Sequence, residues 1–185
     1  MSRQSGAKDT LRRLYEAVRE VPDFPASGVV FRDLTPILLD PVLFRQAVRL
    51  MAAPAKELGV DKVLGIEAGG FLLGAPLSVE LGAGFVPARK AGKLPHDTHQ
   101  VPYGPPHGSN AIEVHQDAVE PGEKVFIADD VLATGGTARA AVRAVEEAGG
   151  EVVGVTLLLE LLELDGRSAL DPTPVWSVLT YPRTP

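Results

Sequence analysis

The chain has no cysteine, a single tryptophan and no long apolar run. Without cysteine there is no disulfide framework, no thiolate nucleophile and no cysteine-ligated metal site, and a reducing cytoplasm is the expected compartment. No window reaches the roughly 18 apolar residues of a membrane span, and the polar stretch 1–10 lacks the apolar segment of a secretory signal. Positive charge is also short. Eighteen basic against 24 acidic side chains leave a formal charge of −6, which speaks against a nucleic-acid or membrane partner. Any phosphate must therefore be held locally.

What is present is the balance of an ordinary globule, 45% apolar and 23% charged over 185 residues, expected to form one domain over 1–185. The 19 glycines and 16 prolines fall in clusters, and clustered turn residues mark the loops where function concentrates.

Hydrophobic periodicity predicts a short helix over 10–20, carried by Leu11, Leu14, Tyr15 and Val18, and a long proline-rich loop over 21–39. Asp40-Pro41 offers an N-cap and a first-turn proline for a helix over 42–58, with Gly59 as its stop. Short apolar runs at 62–66, 84–88, 124–128 and 151–159 read as buried strands, with an edge strand at 175–179 and helices at 71–81 and 138–148. Residues 94–110 hold four prolines, three histidines and no hydrophobic period. They describe an exposed flap, and 111–115 its returning strand. Strands alternating with helices imply an α/β fold, a mostly parallel sheet covered on both faces. Trp176 is assigned to packing, and 162–185 shows no functional motif.

In open α/β sheets, ligands gather at the carboxyl ends of strands. The string VFIADDVLATGGT at 125–137 delivers Asp129 and Asp130 from a strand and then opens a helix with Thr134, Gly135, Gly136 and Thr137. Amides at a helix start have no intrahelical partner and lie at the positive end of its dipole, so they receive anions. Glycines let a phosphate approach, and threonine hydroxyls donate to its oxygens. Two carboxylates would repel that phosphate unless they bind sugar hydroxyls or a magnesium ion beside it. Diol, cation and phosphate together describe a ribose 5-phosphate. The plainer alternative is a helix cap followed by a tight turn. The absence of a lysine after the glycines excludes a P-loop.

The same string resembles the phosphoribosyl pyrophosphate motif of the type I phosphoribosyltransferases. Val21-Pro-Asp-Phe-Pro25, Gly28-Val-Val-Phe-Arg-Asp33, Thr35-Pro36 and Arg89-Lys-Ala-Gly-Lys-Leu-Pro95 look like the adenine-specific branch. The resemblance covers about residues 10–165. It implies a type I fold with a small hood, from about 21–36 and 160–185, and a flexible flap at about 94–115. It implies magnesium-dependent transfer of ribose 5-phosphate from phosphoribosyl pyrophosphate to adenine, giving AMP and pyrophosphate, in a homodimer that salvages purine. Asp129, Asp130, Ala133, Thr134, Gly135, Gly136 and Thr137 would then hold the ribose 5-phosphate, the two aspartates acting on magnesium indirectly. Glu67, Ala68, Gly69, Gly70, Arg89, Lys90, Lys93 and Tyr103 would face pyrophosphate, with Arg89 reaching a neighbouring subunit. Phe31 would stack on the purine, the backbones of Val30 and Arg32 would read its edge, and Leu161 would close the other face. A backbone carbonyl that accepts from a 6-amino group meets a 6-oxo group acceptor to acceptor.

Two positions depart from the family pattern. The pyrophosphate loop usually carries arginine where this chain has Gly69, so one bidentate clamp is missing unless Lys90 and Lys93 compensate. The flap usually presents Glu-Tyr-Gly, and here Pro106-His107-Gly108 stands in its place. His107 could take over proton transfer, because imidazole titrates near neutrality; Glu113 and His115 are weaker candidates. A phosphoribosyltransferase for a 6-oxopurine or other base, or a nucleotide-binding regulator without turnover, remain as alternatives.

Overall fold

The computed structural model describes residues 3–104 and 110–182. The chain divides into two compact units, Met1–Leu50 and Met51–Pro185. In the first unit, helix α1 (Arg3–Ala17) is followed by a two-stranded antiparallel hairpin, β1 (Arg19–Pro22) and β2 (Val30–Asp33), then by α2 (Thr35–Leu39). Helix α1 starts seven residues before the period suggested, because its first turns are polar on every side and leave no stripe to read. The expected irregular loop over 21–39 is likewise corrected. Arg19 pairs with Asp33 and Val21 with Phe31, so the prolines bound a hairpin rather than an unstructured run.

Helix α3 (Pro41–Ala52) begins as its sequence suggests. Asp40 Oδ1 accepts from the amides of Val42 and Leu43 at 2.8 and 3.0 Å, and those amides hold the Asp40 carboxyl below the usual carboxylate range. The helix stops at Ala52, short of 58, where Pro54 enters a 3-10 turn, Ala53–Ala55, since proline has no amide to continue the ladder.

The second unit is built on a seven-stranded sheet in the order β5-β6-β4-β3-β7-β8-β9. Its parallel part comprises β3 (Lys62–Ile66), β4 (Gly84–Lys90), β7 (Lys124–Leu132), β8 (Glu151–Leu161) and β9 (Val175–Tyr181). Strands β5 (Thr98–Pro102) and β6 (Ala111–His115) extend one edge antiparallel. The segment expected to be an exposed flap contains a strand. Thr98 pairs with His115 and Pro102 with Ala111; proline is tolerated because β5 is an edge.

Two helices cover the sheet on opposite faces, as strand alternation requires. Helix α5 (Gly136–Glu147) packs its buried alanines and valines against Leu64, Ile66, Val86, Ile127 and Leu157. Helix α4 (Gly69–Leu81) lies on the other face, where Gly65 and Gly74 leave room for the Phe85 ring between them. Trp176 fills a gap on β9, 6.0 Å from Phe126 and over Gly154, where a side chain would overlap its ring. Among the described residues no helix is long and apolar enough to cross a membrane.

Candidate functional site

Strands β3 and β7 are parallel neighbours, and each delivers a loop into a helix start. Strand β7 continues through the acidic pair to Leu132, and Gly135 turns the chain with φ +77°, a conformation that favours glycine. The first helical bond of α5 runs from the Arg139 amide to the Gly135 carbonyl at 2.8 Å. The amides of Gly136, Thr137 and Ala138 precede it and point out of the helix start. Asp129, Val131 and residues 132–138 line a cavity of about 80 Å³ there.

Around this cavity the acidic pair is tightly held. Asp129 Oδ1 accepts from the Asp130 amide at 2.9 Å, and Asp130 Oδ1 from the Val131 amide at 2.8 Å. Burial, then the neighbouring Asp130 charge, push the Asp129 carboxyl well above its usual range. Two adjacent carboxylates under those conditions suit a cation or sugar hydroxyls.

The loop after β3 comes up against the same pair. Glu67 and Ala68 are joined by a cis peptide bond, and helix α4 starts at Gly69. A side chain at Gly69 would overlap the Asp130 carboxylate, and one at Gly70 would overlap the Ala128 carbonyl. The two glycines thus let the loop 67–70 touch the acidic end of β7. The place that a side chain at position 69 would take is filled by the Asp130 carboxylate.

The cationic turn is held from two sides by carboxylates. Arg89 donates from Nε and Nη2 to Glu67 at 3.3 and 3.1 Å, and from Nη1 to the Lys93 carbonyl at 3.1 Å. The Lys90 amide donates to Glu67 Oε2 at 3.0 Å. Arg89 and the Lys90 amide hold the Glu67 carboxyl below its usual range. On the other side Glu113, 1% exposed, accepts from the amides of Lys93 and Leu94, both at 2.7 Å, and from Gln100 Nε2 at 3.2 Å. Burial pushes the Glu113 carboxyl up, but these amides and that of Gly92 outweigh it and hold it low. Glu113 is therefore a charged anchor for the turn. Lys90 and Lys93 keep exposed side chains.

Tyr103 packs against the core beside β5, its amide bonded to the Asn110 carbonyl at 2.9 Å. Pro106 and His107 lie outside the described residues. In the first unit, β2 carries Val30, Phe31 and Arg32; Phe31 is 44% exposed, and its ring meets the Phe24 ring edge to face at 5.3 Å. Arg32 is paired with Glu20. Leu161 ends β8 in the second unit. The structure thus brings together Glu67, Gly69, Gly70, Arg89, Asp129, Asp130 and the loop 133–138, all within one unit.

Sequence reasoning did not single out Glu160, Gly166 or Arg167. A carboxylate inside an apolar strand run, at Glu160, was the available signal, since such a charge needs a partner.

Comparison with known proteins agrees with this geometry. The family model described as "Phosphoribosyl transferase domain" matches residues 38–179. An adenine phosphoribosyltransferase of Myxococcus xanthus is 51% identical over 164 residues, 89% of each chain. Among solved structures, the adenine phosphoribosyltransferase of Rhodothermus marinus is 50% identical with a TM-score of 0.89, covering 94% of this chain and 99% of its own. That of Saccharomyces cerevisiae, solved with D-2,5-dideoxy-2,5-imino-altritol 1,6-bisphosphate and adenine, is 38% identical with a TM-score of 0.87 over 93% of this chain and 99% of its own.

Proposed function

Since the chain belongs to the adenine phosphoribosyltransferases, we propose that it joins adenine to the ribose 5-phosphate of phosphoribosyl pyrophosphate, releasing AMP and pyrophosphate. In this reaction adenine N9 forms a bond to ribose C1, the C1–O bond to pyrophosphate breaks with its electron pair, and the N9 proton is lost. The observation that carries the reading is the phosphate loop at 133–138, opening beside Asp129 and Asp130.

The chain's groups divide the work. The amides and hydroxyls of Thr134, Gly135, Gly136 and Thr137 bind the 5-phosphate. Asp129 and Asp130 orient the ribose diol. Arg89, Lys90 and Lys93 meet the charge that develops on the departing pyrophosphate, an electrostatic stabilisation that costs little rearrangement when donors are already placed. Phe31 supplies an exposed aromatic face for the purine. His107 is the titratable group that stands beside the position of the family's missing glutamate, and we assign the N9 proton to it.

Magnesium fits this site as an ion carried with the donor. Among the described residues no cluster of three or more ligating side chains could hold a metal, while the adjacent carboxylates of Asp129 and Asp130 can bind it through water or substrate oxygens. Magnesium is bound in this way where phosphates supply most ligands. When bound it would neutralise charge on the leaving pyrophosphate. We also expect a homodimer, in which Arg89 leaves Glu67 to serve a neighbouring site; sedimentation as a monomer at working concentration would remove that role.

The test is calorimetry with AMP and IMP, followed by donor titration with magnesium or with chelator. Tighter binding of AMP, and donor binding that needs magnesium, are expected. Equal affinity for both nucleotides would favour a different base.

A further inference from the structure

Residues 162–185 carry no motif, yet one turn from this segment lies directly behind the phosphate loop. A methyl group added at Gly135 would overlap the Gly166 carbonyl and stand 2.9 Å from Ala169 Cβ. One added at Gly166 would overlap the Ala133 carbonyl and stand 3.0 Å from the Gly135 nitrogen. The two backbones are thus in contact with no side chain between them. Arg139, in the first turn of α5, adds a tie by donating from Nη1 to the Ala169 carbonyl at 3.3 Å.

The turn is fixed in its own right. Within it the Ser168 hydroxyl donates to Asp165 Oδ1 at 2.7 Å, and Leu170, 3% exposed, enters the core. From behind, Arg167 donates from Nε and Nη2 to the two oxygens of Glu160 at 3.1 and 2.7 Å, and from Nη1 to the Val175 carbonyl at 2.7 Å. Ser177 Oγ donates to Glu160 Oε2 at 2.5 Å. Glu160 is 2% exposed and sits on β8 opposite Leu132, the last residue of β7 before the phosphate loop. Arg167 holds the Glu160 carboxyl below its usual range against the opposing effect of burial.

Glu160 is buried but the Arg167 side chain is 49% exposed, and an ion pair open to water on one side is a weak device for stability alone. What a two-bonded guanidinium fork adds is a fixed direction. Here that direction runs from the end of the sheet, through Arg167, to the Gly166 backbone and so to the loop that starts α5.

We propose that Gly166, Arg167 and Glu160 form a buttress that holds the amides of residues 135–137 in the geometry that receives the 5-phosphate. The inference rests on the reading of that loop given above. These are positioning residues; the loop's own amides and hydroxyls touch the ligand. A displaced loop would lose phosphate contacts while leaving the purine face on β2 unaltered. Misplacement of a binding group by about 1 Å can cost up to about a hundredfold, so the effect is measurable.

The test compares Gly166→Ala, Arg167→Met and Arg167→Lys with Arg143→Ala, a control on the exposed side of α5. Ribose 5-phosphate binding is measured by calorimetry, which needs no turnover, and KM is measured separately for donor and adenine. Gly166→Ala and Arg167→Met should weaken ribose 5-phosphate and raise donor KM about tenfold, with adenine KM within about twofold. Arg167→Lys, which keeps the charge but loses the fork, should fall between them and wild type, and the control should match wild type. Folded Gly166→Ala and Arg167→Met proteins that bind ribose 5-phosphate normally, or that lose donor and adenine affinity equally, would overturn the proposal. Should Gly166→Ala not fold, Arg167→Lys decides by the same split. A wild-type protein that fails to bind ribose 5-phosphate removes the functional reading and the buttress together, before any variant is compared.

Discussion

The loop after β7 and the loop after β3 follow neighbouring strands, but they are held differently. The first is fixed by backbone against backbone, with Gly135 pressed on Gly166 and the ion pair of Arg167 and Glu160 behind it. The second is held by charge. Its Glu67 occupies Arg89 at the end of β4, and Glu113 in turn holds the Lys93 and Leu94 amides of the turn that follows β4. On the function proposed above, pyrophosphate would compete with Glu67 for Arg89, whereas a 5-phosphate would displace nothing in its loop. The difference suits a reaction in which ribose 5-phosphate stays bound from donor to AMP while pyrophosphate must leave.

Five changes would break or sharpen that contrast. Gly135→Ala should have the largest effect: φ is +77° and the new methyl would overlap the Gly166 carbonyl, so ribose 5-phosphate affinity should fall about a hundredfold or more. Calorimetry showing wild-type affinity would mean that this loop is not rigid. Glu67→Gln should act in the opposite direction on the other loop, tightening pyrophosphate inhibition by roughly five- to tenfold as Arg89 is released. Unchanged inhibition would place Arg89 outside the pyrophosphate contacts.

Smaller effects separate space from charge at position 69. Gly69→Ala would push the Asp130 carboxylate aside and should raise donor KM about threefold. Gly69→Arg, which adds the cation as well, should bind pyrophosphate more tightly than Gly69→Ala. Equal affinity in the two variants would show that another cation already fills the clamp's place.

The smallest effect is the pH dependence of the buttress. Because the Glu160 carboxyl is held low in the folded protein, its contribution to stability is present above its unfolded pKa of about 4.3 and fades as pH falls through the lower folded value. The melting-temperature gap between wild type and Glu160→Gln should therefore be constant near neutrality and shrink below about pH 4. A gap that widens in acid would contradict the ion pair's role.

Much of this arrangement is legible in the chain. The strand, acidic pair and glycine turn at 125–137 carry their own chemistry, and the parallel strands announce themselves as short apolar runs. The hairpin β1–β2 is not legible, because its strands are largely exposed and lack alternation. Strand β5 is hidden by His99 and Pro102, and α1 by its polar first turns. The contacts between Gly69 and Asp130, and between Gly135 and Gly166, span 61 and 31 positions. No local pattern reports which glycine will meet which neighbour. Arg89 reads as a free cation in the sequence, and only the folded chain shows Glu67 already holding it.

The most direct test of the central claim is AMP formation from adenine and phosphoribosyl pyrophosphate with magnesium, run in parallel with hypoxanthine, guanine and xanthine. The account expects turnover of adenine with the 6-oxopurines left unreacted. Turnover of a 6-oxopurine in preference to adenine, or none with any base while ribose 5-phosphate still binds, would contradict it.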